Sequence, residues 1–303
     1  MILHHFDLSP FSEKIRLMMG YKGAHWESVK IPMLMPKPDL VALTGGHRRT
    51  PVLQMGADVW CDTALISKVL DRKLPGPQVH LGEIPVANAL AKWADWFLFW
   101  SVVDFASQPA CLAYRFGHLS EQERAAIAQD RNPFRASVPK LSASAAAANL
   151  NQFFTMLEAQ LGVHQPHLFG VASIADFSVA HCVWHLRRAG PLALSLMAPY
   201  VKLMAWHDRM LGLGHGRITE ISASDALSRS RQATHFEETV FIPEPGLTRG
   251  QQVLVAAVDY GFEHSMGALI GLNPDEIVIE HEHERAGQVH VHFPRIGFDV
   301  KPT

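Results

Sequence analysis

The chain has 303 residues and a formal net charge of −2 at pH 7, with 48% hydrophobic and 18% charged residues. Its length exceeds that of one ordinary hydrophobic core and predicts two or three globular domains, and its composition argues against wholesale disorder. The near balance of charge excludes a broad nucleic-acid-binding surface, which requires a clustered excess of Lys and Arg.

Residues 1–77 alternate short strands with helices and are predicted as a first domain. Apolar or β-branched runs predict four strands, the last two joined as a hairpin, over residues 2–6, 25–31, 50–55 and 58–61. Residues 11–19 have helical spacing, with an apolar face toward the core and three polar side chains expected to face water, those of Glu13, Lys14 and Arg16. The proline-broken segment 32–46 is predicted to contain a brief second helix, and a third helix is predicted with Asp62 or Thr63 at its N-cap. This order predicts an α/β layer.

Two further regions follow a linker rich in proline and glycine. Residues 84–222 are nearly all helical in pattern and are predicted as an all-α domain. Within it, Ser173 and Asp176 have capping-box spacing, so we expect a structural role for Asp176. Residues 235–303 contain about five short β-rich segments punctuated by Gly and Pro. We expect this extension to form a small barrel or a sheet packed on the helices.

The chain lacks the patterns of secretion and of membrane insertion. No basic segment followed by a long apolar one opens the sequence, and the longest apolar run, WFLFWSVV, is too short for a membrane span. Three widely spaced cysteines predict neither a disulfide framework nor a zinc knuckle, and we expect Cys61 to be a small buried residue. A cytoplasmic protein without a membrane or nucleic-acid partner is the simplest expectation.

Three short motifs of the first domain belong together. Ser9-Pro10 lies between the first strand and the first helix, Thr50-Pro51 leads into the third strand at Val52, and Asp62-Thr63 begins the third helix. In order and spacing, S-P-F-S-x-K-I-R, T-P-V-L and C-D-T-A-L-I resemble the thioredoxin-like N-terminal domain of a glutathione S-transferase. The later segments FGVASIADF and APYVKLMAWHDRM resemble that family's all-helical domain, so the resemblance covers residues 1 to about 215.

The resemblance implies a glutathione site built from these motifs. After a cis Thr50-Pro51 bond, Val52 would offer its backbone N–H and C=O to the cysteinyl part. Asp62 would pair with the γ-glutamyl amine, and Thr63 with backbone N–H groups would bind the α-carboxylate. Arg49 would face the glycyl carboxylate, with Arg48 and His47 as alternatives. Phe11 is counted with the binding residues, although core packing is the favoured explanation for it.

Ser9 is the candidate catalytic residue, as a hydrogen-bond donor to the glutathione sulfur. Lowering a thiol pKa of ~8.5 by one to two units takes ~1.4–2.7 kcal/mol. A hydrogen bond to a charged group contributes ~1.5–3 kcal/mol and a helix N-terminus ~0.3–1 kcal/mol, so no cationic base is needed. Serine cannot form a mixed disulfide, which favours addition or displacement over thiol–disulfide exchange. The alternative is ordinary capping, with Ser9 at the N-cap and Pro10 at the first helical position.

The function implied by the resemblance is a glutathione-dependent transferase that conjugates the glutathione thiolate to an apolar small-molecule electrophile. The resemblance also implies a homodimer, and an electrophile site against the long helices of the second domain. Candidate wall residues on the first of these helices are Trp93, Trp96, Phe97 and Trp100, which core packing explains equally well. The alternatives are a glutathione-binding or regulatory protein without turnover, and a glutathione-dependent isomerase or dehalogenase.

Histidines do not predict a metal site. His181 and His185 have i,i+4 spacing but lack the Glu of the H-E-x-x-H motif. In the extension, a two-residue turn at 286–287 would place four histidines on one face, and a three-residue turn at 285–287 would set Glu282 and Glu280 opposite two of them. These four are His281, His283, His290 and His292. A solvated face is the default expectation, and no metal is expected.

Overall fold

In the computed structural model, which describes residues 1–162 and 166–303, the first domain has the predicted α/β order. Its four strands form a mixed sheet in which β1 is parallel to β2 and antiparallel to β3, and β3 is antiparallel to β4. The elements are β1 (Ile2–His5), α1 (Pro10–Tyr21), β2 (His25–Lys30), α2 (Pro38–Thr44), β3 (Val52–Met55), β4 (Asp58–Cys61) and α3 (Thr63–Lys73). The predicted thioredoxin-like layer is confirmed.

Helix α1 is buried on more sides than its sequence pattern predicts. The expectation that Glu13, Lys14 and Arg16 face water is wrong, because each is at most 4% exposed. Arg16 donates to Glu13 at 2.5 Å, and Lys14 Nζ lies 2.7 Å from Asp95 of the helical domain. The second domain and the segment after its last helix cover α1, so its charged residues find their partners inside the protein.

In its described residues, the helical domain contains eight α-helices and one π-helical turn. They are α4 (Val86–Trp93), the π-turn (Ala94–Leu98), α5 (Phe99–Phe105), α6 (Pro109–Phe116), α7 (Glu121–Phe134), α8 (Ala143–Gln160), α9 (Ile174–Arg187), α10 (Pro191–Met197) and α11 (Val201–Gly212). Asp176 closes the capping box of α9 and also accepts from Leu168 N–H and from Trp206 Nε1. Its predicted structural role is confirmed. Among the residues described, no helix combines the length and hydropathy needed to cross a membrane.

The extension contains the predicted five strands, but its placement differs from the expectation. It forms neither a barrel nor a separate sheet on the helices. Its strand β9 pairs in parallel with β4, while a strand after the helical domain pairs in parallel with β2, so one sheet has the order β10-β6-β7-β8-β9-β4-β3-β1-β2-β5. The added elements are β5 (Arg217–Glu220), α12 (Ala223–Gln232), β6 (Gln252–Ala257), β7 (His264–Leu272), β8 (Glu276–His283), β9 (Gly287–Pro294) and β10 (Phe298–Pro302).

A shared hydrophobic core joins the extension to the first domain. Fully buried side chains of both parts pack in one cluster, including Val52, Val59, Cys61, Ile279, Val291 and Phe293. Cys61 is therefore the small buried residue that we expect from the sequence. Because β9 covers the edge of β4, the four-stranded sheet and the extension form a single continuous layer.

The histidine-rich hairpin adopts neither of the two predicted registers. Its loop is residues 284–286, so His283 lies opposite Gly287, Glu280 opposite His290, and Val278 opposite His292. His292 Nε2 and Nδ1 lie 3.0 Å from Asp58 Oδ1 and 3.1 Å from Glu276 Oε2. Burial opposes ionisation, but these hydrogen bonds outweigh it and raise the pKa of His292. In the described part of the chain, no three His, Cys, Asp or Glu side chains are arranged to hold a metal ion.

Candidate functional site

A cavity of about 1100 Å³ lies between the first domain and the helical domain. Four of the predicted site residues line it, Ser9, Phe11, Arg49 and Thr50. Its opposite wall is largely apolar and comes from α5, α6 and α7, with Phe99, Trp100, Leu112, Phe116, Ile127 and Phe134. One lining residue, Tyr260, comes from the loop between β6 and β7 of the extension.

Ser9 caps helix α1 at the edge of this cavity. Its Oγ accepts a hydrogen bond from Ser12 N–H at 3.1 Å, and Pro10 occupies the first turn. Capping uses the hydroxyl as an acceptor, so its hydrogen is free to be donated to another group. The N-terminus of α1 adds its partial positive charge at the same place. The arrangement suits a ligand anion beside Ser9.

Thr50 and Val52 flank a cis Thr50-Pro51 peptide bond. Val52 pairs with His4 on one side and with Cys61 on the other, and its side chain is buried in the core that the extension shares. Lys37 Nζ donates to Thr50 Oγ1 at 3.2 Å and to the carbonyl oxygen of Arg48 at 3.3 Å. Lys37 thus fixes the loop that presents Thr50 to the cavity.

Asp62 and Thr63 occupy the start of α3. Asp62 caps this helix through a 2.8 Å hydrogen bond from Ala64 N–H, and its backbone has φ 71° and ψ 134°. Such a conformation is strained for a residue other than glycine and is characteristic of functional sites. Thr63 Oγ1 accepts from Lys14 Nζ at 3.3 Å. Neither Asp62 nor Thr63 lines the large cavity, whereas Ala64 lines a second cavity of about 480 Å³ with Lys14 and Asp95.

An ion-pair network that the sequence did not predict lies behind Thr63. Asp95 binds Lys14 Nζ at 2.7 Å and His181 Nε2 at 2.9 Å. Burial disfavours the Asp95 carboxylate, but Lys14 and His181 together hold the pKa of Asp95 well below its usual range. Burial lowers the pKa of His181. The His181 ring packs 4.7 Å from that of Phe11, so Phe11 contacts both the network and the cavity.

The three basic candidates for the glycyl carboxylate are already engaged. Arg49 donates to Asp259 and to the carbonyl oxygen of Tyr260, and Arg48 Nη2 lies 2.6 and 2.7 Å from the two carboxylate oxygens of Asp130. His47 packs on Phe293 and Phe298 in the shared core. Burial and the neighbouring Arg49 and Lys37 lower the pKa of His47 to about 3, so this side chain is neutral.

Lys37 is the cation near Thr50 that the sequence analysis missed. It is 3% exposed and has no carboxylate within ion-pair distance in residues 1–162 and 166–303. Burial, followed by the charges of Arg131 and Arg48, lowers the pKa of Lys37 to about 8. Its position before the proline of α2 carries no pattern that distinguishes it from an ordinary surface lysine.

Tyr260 closes one side of the cavity. Its ring lies against Trp100, Phe134 and Trp96 at centroid distances of 5.2, 5.1 and 6.3 Å. Removal from water raises the pKa of Tyr260 to about 12 despite the opposing charge of Arg49. Of the predicted wall residues, Trp100 lines the cavity and Trp96 contacts Tyr260, whereas Trp93 packs on Phe153 and Phe97 is exposed.

Comparisons with known proteins agree with this geometry. Residues 3–78 match the glutathione S-transferase N-terminal domain, and residues 121–209 match its C-terminal domain. A GST-like protein from Pseudomonas syringae is 38% identical, with a TM-score of 0.80 over 100% of this chain and 98% of that one. The β-etherase LigF from Sphingobium sp. strain SYK-6 is 19% identical, with a TM-score of 0.50 over 69% of this chain and 94% of that one, and shows the fold alone. No curated protein sequence gives a significant match.

The chain therefore belongs to the glutathione S-transferase family. The predicted enzyme class, glutathione S-transferase-like, is confirmed, and the β-rich extension is part of the segment shared with the Pseudomonas syringae protein.

Proposed function

We propose that the protein is a glutathione-dependent transferase that joins the glutathione thiolate to an apolar electrophile. The observation that carries the proposal is the position of Ser9. It caps α1 at the edge of a large cavity whose far wall contains Phe99 and Trp100. A thiolate beside Ser9 would face that apolar wall, where an electrophile has room to bind.

In this proposal, glutathione is the co-substrate and the binding residues divide its charged ends among them. Asp62 and the N-terminus of α3 receive the γ-glutamyl end, with Thr63 held by Lys14. Val52 pairs with strands on both sides and does not line the cavity, so we assign the cysteinyl part to the backbone of Thr50, before the cis bond. Because Arg49 is engaged by Asp259, we assign the glycyl carboxylate to Lys37, which has no carboxylate partner among the residues described.

The chemical step needs no metal or oxidant. The thiol proton leaves to solvent, and Ser9 donates a hydrogen bond to the sulfur that remains. A hydrogen bond to a charged group contributes ~1.5–3 kcal/mol, which is enough to keep the thiolate populated near neutral pH. The thiolate then forms a C–S bond with the electrophile, and the leaving group departs with the electron pair.

Two measurements test the proposal. Calorimetry should show glutathione binding by the wild type, and 1-chloro-2,4-dinitrobenzene should be conjugated. Ser9→Ala should bind glutathione with little change and lose turnover by about tenfold or more. Ser222→Ala is the matched control, because Ser222 caps α12 through the same type of bond, from Asp225 N–H at 3.0 Å, away from the cavity. Absence of glutathione binding would refute the proposal.

A second candidate function is glutathione binding without turnover. The engagement of Arg49 by the extension favours it, because Asp259 and Tyr260 occupy part of the region expected for the peptide. Tight glutathione binding with no conjugation of any electrophile in a panel would support this candidate. The family resemblance also supports a cytoplasmic homodimer. Light scattering of the purified protein tests whether it is a dimer.

A further inference from the structure

The large cavity has an excess of positive charge that an apolar substrate does not explain. Among the residues that the structure describes, eight lysine and arginine residues line it, against a single acidic residue, Asp104. Asp104 is already bound by Arg135 and by the backbone N–H of Leu141. The cationic residues are Lys37, Arg48, Arg49, Arg115, Arg124, Arg131, Arg135 and Lys140.

Most of these cations have a carboxylate partner, lie at another end of the cavity or are exposed at its rim. Carboxylates lie within ion-pair distance of four of them, Arg48, Arg49, Arg131 and Arg135. Lys37 belongs to the end of the cavity beside Thr50, and Arg124 and Lys140 are exposed at the rim. Arg115, on α6, is half-buried and has no carboxylate within ion-pair distance anywhere in the part of the chain that the structure describes.

Arg115 lies in a cationic environment. Burial lowers the pKa of Arg115, and the neighbouring Arg188 lowers it further. Its neighbour His185 is neutral, because burial and then the charge of Arg115 lower the pKa of His185 well below its usual range. A guanidinium removed from water without a counter-ion is unfavourable, and a bound anion relieves that penalty.

A continuous apolar path joins Ser9 to Arg115. Phe11 follows Ser9-Pro10, and its ring packs 4.7 Å from that of Phe99. The Phe99 ring lies 6.4 Å from that of His185, whose pKa the charge of Arg115 lowers. All of these side chains line the same cavity. A molecule with an apolar body on this path would have one end near Ser9 and the other near the guanidinium of Arg115.

We propose that this cavity binds an aromatic electrophile that carries a carboxylate, and that Arg115 binds this carboxylate and thereby determines specificity. The proposal rests on the proposed function and names the substrate class for the same site. Arginine suits the role because its planar guanidinium binds a carboxylate through two parallel hydrogen bonds. In the reaction with a chloroarene, the C–S bond forms, the C–Cl bond breaks, and chloride leaves with the electron pair while the thiol proton goes to solvent.

The decisive experiment compares an acid with its ester. Binding of 3,5-dinitrobenzoate and of its methyl ester is measured by titration calorimetry in the presence of glutathione. The wild type should prefer the carboxylate by about tenfold or more. Arg115→Met should abolish that preference, and Arg115→Lys should restore part of it. Arg249→Met is the control. It removes the same charge from an exposed arginine that does not line the cavity.

Equal affinities for acid and ester in the wild type, or an unchanged preference in a folded Arg115→Met variant, would overturn the inference. Turnover separates it from the proposed function, with 4-chloro-3,5-dinitrobenzoate and its methyl ester as electrophiles. Conjugation of both compounds with equal kcat/KM would refute the inference and leave the transferase function standing. A carboxylate preference in binding that depends on Arg115, without conjugation of either compound, would support the role of Arg115 in carboxylate binding and count against the transferase function.

Discussion

Tyr260 lies over the guanidinium group of Arg49, with 3.8 Å between the guanidinium carbon and the centroid of the ring. The two residues are far apart in sequence, and their contact brings the C-terminal extension to the cavity that also holds Ser9. The extension therefore forms part of the site as well as part of the sheet. Changes in the loop between β6 and β7 should consequently affect both stability and substrate binding.

Truncation of Tyr260 should destabilise the protein and weaken electrophile binding. The ring packs on Trp100, Phe134 and Arg49, whereas its hydroxyl makes no hydrogen bond in the described residues. Tyr260→Ala should lower the free energy of unfolding by about 2 kcal/mol and raise the KM for the electrophile. Tyr260→Phe should resemble the wild type. If the Phe variant lost as much stability as the Ala variant in urea unfolding, the hydroxyl rather than the ring would be the important group.

Substitution of Ser9 should change the acidity of bound glutathione. Ser9→Ala removes a hydrogen-bond donor proposed to contact the sulfur and should raise the pKa of the bound thiol by about one unit or more. Ultraviolet absorbance of the thiolate, followed against pH in the binary complex, measures this pKa. Loss of the α1 cap should also lower stability by ~1 kcal/mol. Ser222→Ala shares the loss of a cap, so a similar pKa change in that variant would contradict the role of Ser9.

The seam between β4 and β9 should make stability depend on pH. Asp58 and Glu276 raise the pKa of His292 above its unfolded value of ~6.5. Its contribution to stability is therefore fully present below pH ~6.5 and is lost as pH rises through the folded-state pKa. His292→Gln should lower the free energy of unfolding more at pH 6 than at pH 9. His264→Gln, at an exposed position in β7, should show no such difference. If His292→Gln lowered the free energy of unfolding equally at both pH values, a raised pKa of His292 in the folded state would be contradicted.

The ion pair of Lys14 with Asp95 should be strongly coupled. The Lys14 side chain is 1% exposed, so Asp95→Asn leaves a buried charge without its carboxylate. We expect a loss of about 3 kcal/mol in the free energy of unfolding, and a partial recovery when Lys14→Met is added. A double-mutant cycle in urea measures the coupling. Additive effects of the two substitutions would show that the pair does not act as a unit.

Local sequence signals account for the first domain and fail where distant segments meet. Ser9 and Pro10 specify the start of α1, because capping and a fixed φ angle are properties of those residues alone. The burial of Lys14 could not be predicted in this way, since its partner Asp95 comes from another domain. The pattern of β9 is equally compatible with packing on helices or with pairing along β4. The side-chain pattern of a strand sets which face is buried, but it does not name the strand edge with which the backbone pairs.

In the candidate site, too, the residues within local motifs were predicted and those that depend on distant contacts were not. Ser9, Arg49 and Thr50 line one cavity and were found through motifs. Lys37 and Tyr260 were missed, because neither belongs to a recurring motif and both act through contacts that exist only after folding. Arg49 was predicted as a site residue, but its ion pair with Asp259 was not. The sequence of the extension contains no local pattern that shows which part of the first domain it contacts.

The parallel pairing of β4 with β9 also constrains the order of events during synthesis. β4 leaves the ribosome long before β9, although domains usually fold as units from the N-terminus while the chain grows at ~5–20 residues per second. Until β9 arrives, β4 has an unpaired edge, and unpaired edges invite contacts with other chains. The N-terminal layer of this protein therefore completes its sheet only after translation of β9.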